Sequence, residues 1–115
     1  MDGCVFCKIA KGEIPCDKIY EDDKILAFND INPEAPIHFL VIPKKHIESI
    51  MDFEDDDDDY LLHNIMKVIA NISRKKGIDD KGFRIVNNIG KDGGQTVSHM
   101  HFHVLGGRVL QWPPG

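Results

Sequence analysis

Apolar residues recur every three or four positions between residues 58 and 76, and this spacing predicts the one long helix of the chain. Its leucine, isoleucine, methionine and valine side chains form a single stripe, which we expect to pack against a sheet. Acidic residues at its start and the basic residues 74–76 at its end are favourable to the helix dipole, and Gly77 is suited to end it. The acidic residues 54–59 are therefore interpreted as a solvated helix start rather than as a metal site.

Shorter apolar segments, bounded by glycine, proline or acidic residues, predict one short helix and a set of strands. The short helix is predicted for residues 5–10. The strands are predicted for residues 18–20, 24–29, 37–42, 83–88 and 97–105. Because strands outnumber helices and the long helix needs a sheet to cover, the fold class is α+β. A length of 115 residues corresponds to a single domain, residues 1–115.

Composition and charge exclude several classes of protein. The chain is 42% hydrophobic and 29% charged, as in ordinary globular domains, and its formal net charge is −5. An acidic balance without a basic cluster argues against nucleic acid or a membrane surface as a partner. No apolar stretch approaches the roughly 18 residues of a membrane span, and acidic Asp2 stands where a signal peptide would carry a basic residue. We therefore expect a cytoplasmic protein.

Three histidines alternate with apolar residues just before the C-terminal glycines: His99, His101 and His103. Residues two apart in a strand share a face and lie about 6.6 Å apart. The pattern therefore predicts a solvated, titratable face of three imidazoles, with Met100, Phe102 and Val104 packed in the core. An imidazole near neutral pH can be a nucleophile, a general acid or base, or a metal ligand, and the pattern alone does not choose among these. His38, within an apolar strand, either joins this site or is a core histidine with a hydrogen-bond partner.

Cys4 and Cys7 are spaced as Cys-x-x-Cys near the N-terminus. Three cysteines in a reducing compartment argue against a disulfide framework, and Cys16 is interpreted as a separate reduced thiol. A tetrahedral metal site needs two more ligands, for which histidines are the available donors. Without a thioredoxin-like βαβ pattern around the pair, a metal site is favoured over a redox site.

The three histidines, each followed by an apolar residue, resemble the signature of the histidine triad (HIT) family. The rest of the chain resembles its branch of purine nucleoside phosphoramidases, the protein kinase C interacting protein-like branch. The matching segments are residues 4–9, 12–15, 26–28, 30–31, 36–46, 92–95 and 106–115. The resemblance implies a HIT-like fold, an antiparallel sheet of about five strands with one long helix and a short N-terminal helix. It also implies a homodimer whose sheets join, with the tail that contains Trp112 near the partner's site.

The resemblance implies roles for individual residues. His101 matches the nucleophile that attacks the α-phosphate of a nucleoside 5′-phosphoramidate or related nucleotide, giving a nucleotidyl-histidine that water resolves to the monophosphate. His103 matches the histidine that contacts the phosphate and the bridging atom, and His38 matches an upstream histidine of the same site. Further positions match contacts to a purine nucleotide: Asn88, Gln95, Thr96 and Val97 to the phosphate, Asp30 to the ribose, and Phe28 and Ile31 to the base.

Some relatives hold a structural zinc, and the matching ligands here are Cys4, Cys7, His46 and His99. His99 is thus counted with the catalytic histidines as a member of the triad, and also among the metal ligands. The zinc would pin the N-terminus to the catalytic strand, and the chemistry itself needs no metal. His63 lies off every motif and is interpreted as a surface residue.

Two alternatives to the phosphoramidase remain open at this point. One is a dinucleoside polyphosphate hydrolase of a neighbouring branch, because the substrate is not specified by these residues. The other is a zinc-stabilised module for nucleotide binding or protein interaction whose turnover is incidental. The intact triad favours an enzyme, since a protein that only binds nucleotide needs no nucleophile.

Overall fold

The fold of the computed structural model, which describes residues 3–115, is built on one five-stranded antiparallel sheet in the order β1-β2-β3-β5-β4. The helices and strands follow one another as α1 (Val5–Ala10), β1 (Lys18–Glu21), β2 (Ile25–Asn29), β3 (Ile37–Pro43), α2 (Asp56–Lys76), β4 (Phe83–Val86) and β5 (Phe102–Gly106). The α+β class, the five-stranded sheet and the two helices are confirmed. Asp2, on which the absence of a signal peptide was argued, lies outside the described residues.

The centre of the sheet is buried on both faces, because α2 covers one face and α1 covers the other. In β2, Ile25 and Ala27 belong to the cluster beneath α2, whereas Leu26 and Phe28 belong to the cluster beneath α1. Strands covered on both faces are continuously apolar rather than alternating, and β2 and β3 show this pattern. No helix in residues 3–115 combines the length and the apolar character that crossing a bilayer requires.

Helix α2 begins at Asp56, and most of the acidic run before and within its first turn is exposed, as predicted. Asp58 is an exception and corrects the interpretation of the run as solvated, since only 2% of it is exposed. Its carboxylate accepts hydrogen bonds from Lys45 Nζ at 2.8 Å and from the Glu54 amide at 2.9 Å. The hydrogen bond from Lys45 lowers the pKa of Asp58, so the buried group is a partnered carboxylate.

The histidine segment is less regular and more buried than predicted. Strand β5 begins at Phe102 rather than at Val97, because its pairing with β3 stops at Phe102 and its pairing with β4 stops at His103. Side chains still alternate before the strand starts, and the predicted packing of Met100 and the following apolar residues in the core is confirmed. The prediction of a solvated histidine face is wrong for His99 and His101, which are buried against Phe6 of α1, whereas His103 is partly buried.

Candidate active site and metal-ligand cluster

His101 immediately precedes β5, and its imidazole is hydrogen-bonded to the main chain through one of its two nitrogens. Its Nδ1 is 2.7 Å from the carbonyl oxygen of His99, and a carbonyl oxygen only accepts, so Nδ1 carries the proton. A neutral His101 therefore presents a lone pair at Nε2. The residue is 4% exposed, and the edge of the Phe6 ring packs against its imidazole at a centroid distance of 5.0 Å. These contacts present a nucleophilic nitrogen in a fixed orientation.

His38 and His103 form a hydrogen-bonded pair beside His101. The amide of Glu34 donates to His38 Nδ1 at 3.0 Å, so a neutral His38 carries its proton on Nε2. That nitrogen is 2.9 Å from His103 Nδ1 and donates to it, which leaves the proton of a neutral His103 on its own Nε2. The His101 and His103 rings are 5.2 Å apart, so a lone pair and an N–H donor lie side by side.

Burial favours the neutral form of His103. Desolvation, followed by the nearby imidazoles of His101 and His38, lowers the pKa of His103, while the Asp30 carboxylate opposes the shift. Asp30 Oδ2 is 3.4 Å from His38 Nε2, and Asp30, His38 and His103 are close enough together to be considered as cation ligands. Because His38 Nε2 carries a proton, this group is a hydrogen-bond chain rather than a metal site.

The predicted nucleotide-binding residues lie in three different environments. Phe28 is buried against Phe6, with ring centroids 6.0 Å apart, whereas Ile31 is 87% exposed on the loop after β2. Val97 packs against the cluster beneath α1. Asn88 is partly buried just beyond β4, and Thr96 is exposed.

The Gln95 side chain is occupied within the protein. Its Nε2 donates to the carbonyl oxygens of Glu48 and Val97, and its Oε1 accepts from the Gly90 amide. The Gln95 amide also donates to the Gly90 carbonyl at 3.0 Å, and this hydrogen bond closes the glycine loop, residues 90–94. The Gln95 side chain therefore shapes the loop, since both ends of its amide group are hydrogen-bonded to the main chain.

The four predicted metal ligands converge on one point, where α1 meets the ends of β3 and β5. Cys4 is the N-cap of α1, and its sulfur accepts from the Cys7 amide, which brings both thiols to the first turn. His46 follows β3 and His99 precedes β5, and these neighbouring antiparallel strands place both residues at the same end of the sheet. The cluster can hold a metal ion.

Distances within the cluster are uniform. His99 Nδ1 is 3.3 Å from Cys4 Sγ, 3.5 Å from Cys7 Sγ and 3.2 Å from His46 Nδ1, and Cys7 Sγ is 3.2 Å from His46 Nδ1. His99 Nε2 donates to the Pro43 carbonyl oxygen at 2.8 Å, so Nδ1 keeps its lone pair toward the thiols. His99 thus contributes its ring to the cluster and its carbonyl oxygen to His101.

Three of the contacts that build the site come from residues absent from the predicted site. Phe6 packs on His101, Glu34 orients His38, and the Asn87 side chain donates to the His101 carbonyl oxygen at 2.9 Å. Phe6 had a local signal, since it lies between the two cysteines. Cys16 is a free thiol and His63 is exposed, as predicted.

Comparison with known proteins places this geometry in a family. The family model described as scavenger mRNA decapping enzyme C-term binding matches residues 3–110. An uncharacterized HIT-like protein of Synechococcus elongatus is 48% identical over 111 residues, which are 96% of each chain. This chain belongs to the histidine triad family.

Solved structures similar to this HIT chain cover almost its full length. A HIT family hydrolase from Legionella pneumophila Philadelphia 1 has a TM-score of 0.93 and 51% identity, over 98% of this chain and 100% of that one. A histidine triad protein from Clostridium difficile has a TM-score of 0.89 and 56% identity, over 96% and 95%. The likeness to the first of these supports a hydrolase of the HIT family.

Proposed function

We propose that this HIT chain hydrolyses purine nucleoside 5′-phosphoramidates, or closely related nucleotides, through a covalent nucleotidyl-histidine on His101. One observation carries the proposal. The hydrogen bond from His101 Nδ1 to the His99 carbonyl leaves Nε2 as a lone-pair nitrogen, which is what a nucleophile at phosphorus requires. A site that only bound nucleotide would gain nothing from this arrangement.

The orientation of the neighbouring rings supports a two-step reaction. In the first step His101 Nε2 forms a bond to the α-phosphorus, and the phosphorus–nitrogen bond to the leaving amine breaks. The His103 Nε2–H donates a hydrogen bond to that amine, which takes up a proton from solvent water as it leaves, and the hydrogen bond from His38 stabilises the orientation of His103. In the second step water forms the new phosphorus–oxygen bond, the bond to His101 breaks so that its Nε2 lone pair is restored, and the water's proton is released to solvent. The products are the nucleoside monophosphate and the free amine.

Nucleotide recognition is proposed for residues around this pair. Asp30 Oδ2 accepts hydrogen bonds from the ribose hydroxyls, while Asp30 Oδ1 accepts a hydrogen bond from the Asn32 amide at 2.8 Å. Exposed Ile31 offers an apolar surface to a purine, with buried Phe28 beneath the site as support. The phosphate is bound by Asn88 and by the segment from Gln95 to Val97. Stacking of this kind selects a purine without a strong choice between adenine and guanine.

A structural zinc ion is proposed for the cysteine and histidine cluster. Zinc lies about 2.3 Å from thiolate sulfur and about 2.0–2.1 Å from imidazole nitrogen, so a tetrahedral site spaces two nitrogens roughly 3.4 Å apart and a nitrogen and a sulfur roughly 3.5 Å apart. The observed separations of 3.2–3.5 Å fit this geometry. When bound, zinc supplies a crosslink between α1 and the loop before β5. The chemistry at His101 needs no metal.

A homodimer is proposed through β4, which is an edge strand of the sheet. An exposed edge strand can pair with a second copy of itself, and Ile85 on β4 is a partly exposed apolar residue. Arg84 Nη2 donates to the Gln111 carbonyl oxygen at 2.8 Å, which ties the C-terminal tail with exposed Trp112 to the same edge. Light scattering should give the mass of two chains, and Ile85→Lys should give one. A wild-type monomer at high concentration would exclude this interface.

The cytoplasmic location remains a prediction from the sequence. Dinucleoside polyphosphate hydrolysis is the second candidate, because the same nucleophile would serve it with a nucleotide instead of an amine as the leaving group. Both substrates therefore belong in the test.

The decisive experiment is to detect the covalent intermediate. Wild-type protein is incubated with adenosine 5′-phosphoramidate, or with a dinucleoside polyphosphate, quenched early and weighed by intact-protein mass spectrometry. An adduct of one adenylyl group that is absent from His101→Ala, with monophosphate released, is the expected result. His63→Ala, which changes an exposed histidine on α2, should behave as wild type. Nucleotide binding without an adduct or turnover in the wild type would instead favour the binding module.

A further inference from the structure

The main chain of His101 lies just outside the regular sheet. Pairing of β5 with β3 ends at Phe102 opposite Val41, and pairing with β4 ends at His103 opposite Val86. The proposed nucleophile thus belongs to a segment whose position is not set by either ladder. A buried carbonyl at such a place needs a hydrogen-bond donor from elsewhere.

Asn87 provides that donor. It is the first residue after β4, and its Nδ2 donates to the His101 carbonyl oxygen at 2.9 Å. A side-chain amide therefore continues the sheet's hydrogen bonding by one step after the β4 main chain has left the ladder. The bond is partly buried, where hydrogen bonds are less weakened by water.

His101 is thereby held from two directions. Its ring is fixed through Nδ1 to the His99 carbonyl at 2.7 Å, and its main chain is fixed through its own carbonyl to Asn87 at 2.9 Å. The first bond determines which nitrogen carries the lone pair. The second limits rotation of the peptide that follows His101, and so limits where that lone pair points.

We infer that Asn87 is a positioning residue for the nucleophile, acting through the His101 carbonyl without touching the nucleotide. This rests on the proposed function of His101. The role differs from that of neighbouring Asn88, which is proposed to contact the phosphate. Loss of Asn87 should therefore slow nucleotidyl transfer with little effect on nucleotide binding, whereas loss of Asn88 should weaken binding.

The test compares Asn87→Leu, which keeps a similar volume but has no donor, with Asn87→Gln, which keeps an amide. Single-turnover formation of the adenylyl-protein is measured over a range of adenosine 5′-phosphoramidate concentrations. Asn87→Leu is expected to slow the saturated rate about tenfold, as for the loss of one net hydrogen bond, with the half-saturating concentration changed less than about twofold. Asn87→Gln should recover part of the rate. Asn71→Leu, at an exposed asparagine of α2 bonded to Arg74, is the matched control and should leave both values unchanged.

A second measurement does not depend on turnover. In protein labelled with nitrogen-15 at histidine, solvent exchange of the His101 Nδ1–H should be measurably faster in Asn87→Leu than in the wild type and in Asn71→Leu. An unchanged adenylylation rate and unchanged exchange in Asn87→Leu would overturn the inference while leaving the proposed function intact. A rate loss matched by an equal rise in the half-saturating concentration would also overturn it. A wild type that forms no adduct would instead reject the proposed function, and the exchange measurement would still decide whether Asn87 orders His101.

Discussion

Replacement of Phe6 by alanine should destabilise the protein and slow its chemistry together. Phe6 is 7% exposed, and its ring lies 5.0 Å from that of His101, 5.9 Å from that of His99 and 6.0 Å from that of Phe28. Truncating a buried phenylalanine to alanine typically costs about 3–5 kcal/mol. We expect about 3 kcal/mol, at the lower end, because α1 has six residues and can move partly into the space left behind.

The assay is urea unfolding followed by circular dichroism, with the single-turnover rate of adenylylation measured on the folded protein. Val5→Ala is the matched control, since Val5 is the neighbouring residue of α1 and is 39% exposed. It should cost less than about 1 kcal/mol. A loss below about 1 kcal/mol for Phe6→Ala, with an unchanged adenylylation rate, would refute the reasoning that this ring supports the nucleophile.

Three further predictions concern the metal cluster, the glycine loop and pH. Cys7→Ser should lower the zinc content, measured by elemental analysis, from one ion per chain. Chelation of the wild type should lower its melting midpoint by about 10 °C, because a ligand at a hundred times its Kd contributes about 2.7 kcal/mol of stability. Equal midpoints with and without chelator would contradict the zinc site. Gly93→Ala should reduce kcat/KM by roughly ten- to a hundredfold, because its Cβ would collide with the Ile89 backbone and displace the loop, whereas Lys91→Ala at an exposed position of that loop should not. Burial and two nearby imidazoles lower the pKa of His103 below 6.5, so the unfolded chain binds the proton more readily than the folded chain. The neutral His103 therefore contributes stability that is fully present above about pH 6.5 and is lost as the pH falls through the folded-state pKa. The free energy of unfolding should therefore fall less between about pH 7 and pH 5 in His103→Gln than in the wild type, and equal slopes would contradict the assignment.

Several features of this protein follow from the sequence because they depend on neighbours along the chain. The apolar spacing and the glycine at residue 77 predict α2, which ends at Lys76 as expected. The alternation of polar and apolar side chains before and within β5 likewise predicts that Met100, Phe102 and Val104 lie in the core, because successive side chains of an extended backbone point to opposite faces. The triad signature is also local, and it was sufficient to indicate the family.

The limits of local information appear at β5. The apolar alternation starts at Val97, but the strand starts at Phe102, because a strand exists only where neighbouring strands pair with it. The burial of Asp58 also could not be predicted locally, because its partner Lys45 lies 13 residues away. In the sequence, Asp58 is indistinguishable from the exposed aspartates around it.

The residue types available for chemistry can be read from the sequence, whereas what each of them can do depends on its neighbours in the folded chain. The proton positions on His99, His101 and His38 depend on the Pro43 carbonyl, the His99 carbonyl and the Glu34 amide. These hydrogen bonds form only when the folded backbone brings each partner next to the ring, and the residue types alone do not specify that geometry. A hydrogen bond requires distance and direction as well as a donor and an acceptor. Only the folded chain therefore assigns the lone pair to His101 Nε2, on which the proposed chemistry depends.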